Sequence, residues 1–162
     1  MKLTRLLARV PGLVEVIGNV DGLAIDSVTL DHRNVAPGIA FACVAGARFD
    51  GNAFAEDAVA SGAPVVFSER PLALSVPVVL VVNVNEAIGE IAAALEGDPS
   101  RTLMCFGVTG TNGKTTTTYL LDGISAAGGH PSAILGTTGV RIGSKTLATG
   151  FTTPQAPELQ HL

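Results

Sequence analysis

The stretch GVTGTNGKTTTT, residues 107–118, follows the apolar run TLMCFGV (102–108) and leads into the amphipathic segment YLLDGISAA (119–127). A strand, a glycine-rich turn and a helix in that order have one recurrent use. A phosphate chain needs several backbone N–H groups aimed at one point, and glycine alone permits such bends without a Cβ clash. A helix beginning behind the turn adds orphan N–H donors and partial positive charge. Lys114 at the turn's end brings a full charge for β- and γ-phosphates, and the Thr115 hydroxyl suits a magnesium ion. The spacing is tighter than the common phosphate-loop pattern, which places glycine five residues before Gly113, where this chain has Val108. Gly110 and Gly113 instead frame Gly-Thr-Asn-Gly-Lys-Thr.

Working outward, residues 102–108 read as a strand, 115–127 as a helix stopped by GGHP, and 132–135 as a second strand, which makes a βαβ crossover. A hairpin is expected from 139–142 and 146–148 around Gly143-Ser144, with another helix starting near Pro157. Upstream, EGDPSR (96–101) is polar and carries a proline, so a domain boundary is placed there: residues 1–97 and 98–162. Before it, Lys2–Arg9 has helical spacing that ends at Pro11-Gly12. Ile25, Val28 and Leu30 mark a short strand. IAFACVA (39–45), APVVFS (63–68) and VPVVLVV (76–82) are further strands, the last two unbroken enough to be covered on both faces. Residues 52–61 and 85–95 return to helical spacing. The alternation predicts an α/β protein with a small N-terminal α/β domain, followed by the beginning of a parallel-sheet phosphate-loop domain. The second unit holds fewer strands than a nucleotide-binding sheet usually has, so an incomplete domain is expected.

Composition sets the class. Hydrophobic content of 47% and a mean hydropathy of +0.44 exclude a disordered chain. The longest apolar run, 76–82, is far below the roughly 20 residues of a spanning helix. The N-terminal residues have no sustained apolar core and no small-residue cleavage site, so they read as a helix and not as a signal peptide. Cys43 and Cys105 both lie in strand-like apolar runs and are expected as buried, reduced thiols. Net charge is −4, and the seven arginines and three lysines form no cluster, which argues against nucleic acid or membrane as partner. A soluble, cytoplasmic, monomeric protein is the expectation.

The loop GVTGTNGKTTT is similar to the ATP loop of the Mur ligase family, shared with folylpolyglutamate synthetases. VTLDHRNVAPGIAFACVAGARFDGNAFAEDAVASGA (28–63) resembles the uridine-binding domain of the E-type members, and ILGTTGVRIG (134–143) with TTPQAPELQ (152–160) resembles the stretch after their ATP loop. The resemblance is collinear along nearly the whole chain. It implies an ATP- and magnesium-dependent ligase that adds the third stem-peptide residue, meso-diaminopimelate or L-lysine, to UDP-MurNAc-L-Ala-D-Glu through an acyl phosphate. It further implies that Leu30 and His32, where the family commonly has serine, contact the uridine, with Ala47, Arg48 and Phe49 on a second uridine turn. Gly110, Thr111, Asn112, Gly113, Lys114, Thr115 and Thr116 would form the ATP loop, Lys114 being catalytic on the phosphates and Thr115 a metal ligand. Thr152 and Thr153 would touch the muramyl-peptide part, while Phe151 replaces the asparagine of some members. The family's later metal-binding glutamate and histidine, its carbamylated lysine and its diamino-acid site have no counterpart in these residues. The chain alone is therefore expected to lack ligase activity. The alternatives are a non-catalytic UDP-sugar-binding module and an unrelated phosphate-loop NTPase, although Leu135-Gly136 offers no acidic strand end for the latter. Without the family context, Asp31-His32-Arg33 would be a strand-end turn with Arg33 paired to a carboxylate, and His130 an exposed turn residue.

Overall fold

The computed structural model describes residues 1–46, 50–147 and 154–162, arranged as two compact units: Met1–Thr102 with Ala156–Leu162, and Leu103–Gln155.

The first unit is built on a five-stranded sheet. Its strands are β1 (Leu13–Ile17), β2 (Ser27–Thr29), β3 (Ile39–Ala42), β4 (Val66–Ser68) and β5 (Val78–Val81), in spatial order β1-β5-β4-β3-β2. β2 to β5 run parallel, and β1 closes the edge of β5 antiparallel. Side chains alternate across a strand, so neighbouring residues serve opposite faces. Ala40, Ala42, Val65, Phe67, Val79 and Val81 enter one core with Leu3 and Leu6 of α1 (Leu3–Leu7) and with Val84, Ala87, Ile88, Ile91 and Ala92 of α3 (Val84–Leu95). Phe41, Cys43 and Val66 enter the other core with Ala55 and Ala58 of α2 (Ala55–Ala60). The unbroken apolar runs of β4 and β5 are thus explained: every residue of both strands is buried. α3 begins at Asn83, whose side chain accepts from the Glu86 N–H at 3.2 Å. α5 (Ala156–His161) packs along α3 and β2. β1 lacks the apolar pattern of a covered strand, most of its residues being exposed, and is defined by its pairing with β5.

The second unit contains α4 (Lys114–Ala127) and an antiparallel sheet, β6 (Ala133–Gly136), β7 (Gly139–Ile142) and β8 (Lys145–Leu147), in order β6-β7-β8. The expected helix and hairpin are present. The expected strand at 102–108 is not: the segment joins no ladder, and Leu103, Met104 and Phe106 are exposed. Cys105 is accordingly exposed and not buried as expected, whereas Cys43 is buried. A strand is defined by its partner, and β6 pairs here with β7 in place of the anticipated parallel crossover. Ile134 and Val140 are the buried hydrophobic residues of this unit among those described. Asp122 joins α4 to the hairpin, accepting from Ser132 Oγ at 2.5 Å and from the Arg141 guanidinium, which lies over the Tyr119 ring at 5.4 Å. Among the described residues no helix is long and apolar enough to cross a membrane.

Candidate functional site

The glycine loop before α4 takes its shape from two glycines in left-handed backbone conformations, Gly110 at φ +147° and Gly113 at φ +79°. A side chain at Gly113 would be strained, and this residue is the turn from which α4 starts. Glycine offers no side-chain oxygen, so α4 begins without a side-chain cap, and the first-turn N–H groups have no intrahelical acceptor. Orphan amides of this kind are the donors with which helix N-termini hold anions in general. Lys114 is the first helical residue, and its ammonium turns back over the loop, donating to the carbonyls of Gly110 and, at 3.4 Å, Thr111. It therefore lies across the bend where a phosphate chain would sit. Thr111, Asn112, Thr115 and Thr116 are exposed along the same loop and first turn. The Thr115 hydroxyl is 3.4 Å from that of Thr137, and Tyr119 Oη is 3.3 Å from Thr138 Oγ1. Sequence reasoning assigned nothing to these two β6–β7 turn threonines. The signal is the doubled threonine after β6, whose meaning depends on α4 lying beside it. Among the described residues no group of three or more His, Cys, Asp or Glu could hold a metal ion. The donors this loop presents are therefore hydroxyls and backbone amides, the Thr115 hydroxyl among them.

In the first unit, the carboxyl ends of β2, β3 and β4 carry a second constellation. Leu30 follows β2, half-buried against the larger core. Asp31 then caps a 3-10 turn at His32–Asn34: its Oδ1 accepts from the Arg33 N–H at 3.0 Å, and its Oδ2 pairs with Arg33 Nη2 at 2.6 Å. The Arg33 side chain, hydrogen-bonded to it, holds the Asp31 carboxyl down at about 2, against some opposition from burial. His32 Nδ1 also lies 4.0 Å from Asp31 Oδ1, and the His32 ring stacks on Phe54 with centroids 4.5 Å apart and planes 2° from parallel. After β3, Ala45 and Asp50 form an isolated antiparallel bridge. Asp50 accepts from Asn52 N–H at 3.0 Å, Asn52 Nδ2 at 2.6 Å and Arg70 Nη2 at 2.7 Å. Asn52 Oδ1 accepts in turn from the buried Ser68 hydroxyl at 2.8 Å, so the β3 and β4 ends are joined. The asparagine hydrogen bonds, the largest influence, and Arg70 keep the Asp50 carboxyl below its ordinary range. Ala47, Arg48 and Phe49, and likewise Thr152 and Thr153, lie outside the described residues.

Residues 24–96 match the family described as "Mur ligase family, catalytic domain", and residues 108–162 match "Mur ligase middle domain". The chain belongs to the Mur ligase family. Among its relatives, UDP-N-acetylmuramoyl-L-alanyl-D-glutamate--2,6-diaminopimelate ligase of Geobacillus thermodenitrificans is 43% identical over 161 residues, 99% of this chain and 32% of that protein. The ligase of the same name from Aquifex aeolicus is 41% identical over 130 residues, 80% of this chain and 27% of that protein. A solved structure of a 2,6-diaminopimelate ligase bearing the same substrate name superimposes with a TM-score of 0.71 at 27% identity, covering 91% of this chain and 30% of that one. MurF from Acinetobacter baumannii, in its second crystal structure, gives a TM-score of 0.60 at 27% identity over 83% of this chain and 29% of its own. The chain spans about a third of the length of the relatives it matches.

Proposed function

We propose that this chain supplies the sugar-nucleotide-binding domain (residues 1–97) and the phosphate loop (within 98–162) of an ATP-dependent ligase. The ligase joins meso-diaminopimelate to UDP-MurNAc-L-Ala-D-Glu. The observation that carries this reading is the opening of α4 at Lys114 directly from a doubly left-handed glycine turn, in a chain collinear over 161 residues with a ligase named for that reaction. The names of the relatives favour diaminopimelate over lysine.

In this reading, the Lys114 ammonium exchanges two neutral carbonyls for phosphate oxygens, a stronger charge-assisted bond. Orphan amides of the loop and the first turn of α4 cradle the phosphates, and the Thr115 hydroxyl ligates magnesium. ATP and magnesium supply the activation of the D-Glu carboxylate as an acyl phosphate. This chain's part is to position the nucleotide and neutralise charge. Leu30, His32, Ala47, Arg48 and Phe49 receive the uridine, and Thr152 and Thr153 the muramyl peptide. The setting is cytoplasmic, the chain is a monomer, and neither nucleic acid nor membrane is a partner. The diamino-acid site belongs to residues this chain does not contain, so the 162 residues alone are expected to show no turnover.

Calorimetric titration of the purified chain with UDP-MurNAc-L-Ala-D-Glu and, separately, with Mg-ATP tests the assignment. The uridine ligand should bind weakly, and Leu30→Ala or Arg48→Ala should weaken it further. Mg-ATP should bind more weakly still. Lys114→Met should remove any Mg-ATP binding and leave the uridine ligand unaffected. A folded sample with no affinity for the uridine ligand would overturn the reading. Uridine binding without any Mg-ATP binding would favour a sugar-nucleotide module.

A further inference from the structure

We propose that Phe54 is a positioning residue for the sugar-nucleotide site: it holds the His32 imidazole in one fixed plane, as a preformed platform for a pyrimidine nucleotide. The inference rests on the uridine reading above and adds to it a residue which that reading does not contain.

His32 and Phe54 come from different parts of the chain. His32 follows β2, and Phe54 ends the 3-10 turn Gly51–Phe54 that leads from β3 into α2. Both lie on connections leaving the carboxyl ends of parallel strands, where open α/β sheets bind ligands. Each ring is held from behind. The backbone around His32 is fixed by the Asp31 cap and by the Asp31 N–H donating to Thr29 Oγ1 at 3.2 Å. Phe54 packs against the core of Phe41, Cys43, Ala55 and Ala58. Its turn is tied to the end of β4 through Asp50, Asn52 and Ser68. Between these supports the two rings lie parallel, 4.5 Å apart.

A histidine that is partly exposed, with 30% of its side chain accessible, would ordinarily sample several rotamers. Stacking on an anchored phenyl ring removes that freedom before any ligand arrives, so less ordering cost falls on binding. A nucleobase is the ligand class for which a flat, oriented imidazole is useful, since it offers a π-face for stacking and ring nitrogens for the polar edge.

The test uses the 162-residue chain with UDP as probe. In Phe54→Leu, which keeps the apolar packing but removes the aromatic ring, UDP should bind about 2- to 10-fold more weakly. The ring-current shift of the His32 imidazole protons should vanish. Phe54→Tyr should keep both affinity and shift. Equal UDP affinity for wild type and Phe54→Leu, with the ring-current shift gone, overturns the proposal and leaves the uridine reading standing. Absence of UDP binding to folded wild-type chain overturns both. A second measurement needs no variant. Nuclear Overhauser contacts between the Phe54 and His32 rings should persist at saturating UDP while the His32 resonances move and those of His130 and His161 do not. Loss of those contacts on binding, or unmoved His32 resonances, overturns the proposal.

Discussion

Asp31 shows how one side chain can carry a local turn and a titration signature together. Its carboxyl receives the Arg33 guanidinium and the Arg33 backbone N–H, and its pKa falls to about 2. The folded value lies below the ordinary value near 3.9, so whatever stability the pairing contributes is present above that pH and is lost as pH falls toward 2. Carboxyl-carbon NMR should find Asp31 titrating near 2 in the native chain and close to the ordinary range in Arg33→Gln. The cysteines give a second expectation. Burial, with a smaller push from Asp50, raises the Cys43 thiol to about 12, while Cys105 is exposed. A thiol reagent at pH 8 should modify Cys105 rapidly and Cys43 only after denaturant is added. Rapid reaction of both native thiols would contradict the burial of Cys43. Sequence alone placed the two cysteines alike, because the apolar neighbours of each look the same. What separates them is a partner strand, which local pattern does not encode. The glycine turn and the helix start behind it were legible because both are local: two glycines, a lysine and a helix start within seven residues. The His32–Phe54 stack was not, because 21 intervening residues and a β-strand bring the rings together.

At the scale of elements, period and punctuation worked where burial is one-sided or complete. α3 has its apolar residues on one stripe and an asparagine cap, and β4 and β5 are unbroken apolar runs. β1 escaped because its residues are mostly exposed, and its strand character comes from pairing with β5 some 60 residues away. The segment 102–108 failed in the opposite sense, having a strand's composition without a strand's neighbour. The connection after β3 carries its own prediction. A Cβ on Gly51 would lie 2.8 Å from both the backbone nitrogen and the backbone oxygen of Val44, and backbone atoms cannot rotate away as a side chain can. Gly51→Ala should therefore destabilise the first unit by about 1–3 kcal/mol, read as a lower urea midpoint. An unchanged midpoint would show that this close approach relaxes freely.

For the whole molecule, the two units differ in how much they bury. The first places Phe41, Phe67 and much of α3 out of water, whereas α4 in the second has no buried residue. Removing Phe67 from its core by Phe67→Ala should cost about 3–5 kcal/mol. Native-state hydrogen exchange should protect the amides of β3, β4 and β5 far longer than those of α4, and comparable protection would argue against the sparse packing of the second unit. The α/β layer type was readable from strand–helix alternation, but the strand order was not, since order is a property of pairing. That order also bears on how the protein is made. The strand of this sheet that is synthesised first is seated beside the one synthesised last, and the intervening parallel strands assemble through crossovers. Sequence separation of this kind slows folding, because a long loop must close before its contacts repay the entropy. During synthesis, β1 must therefore wait without its mate until residue 81 has cleared the exit tunnel, and the nascent chain remains open to chaperones over that interval.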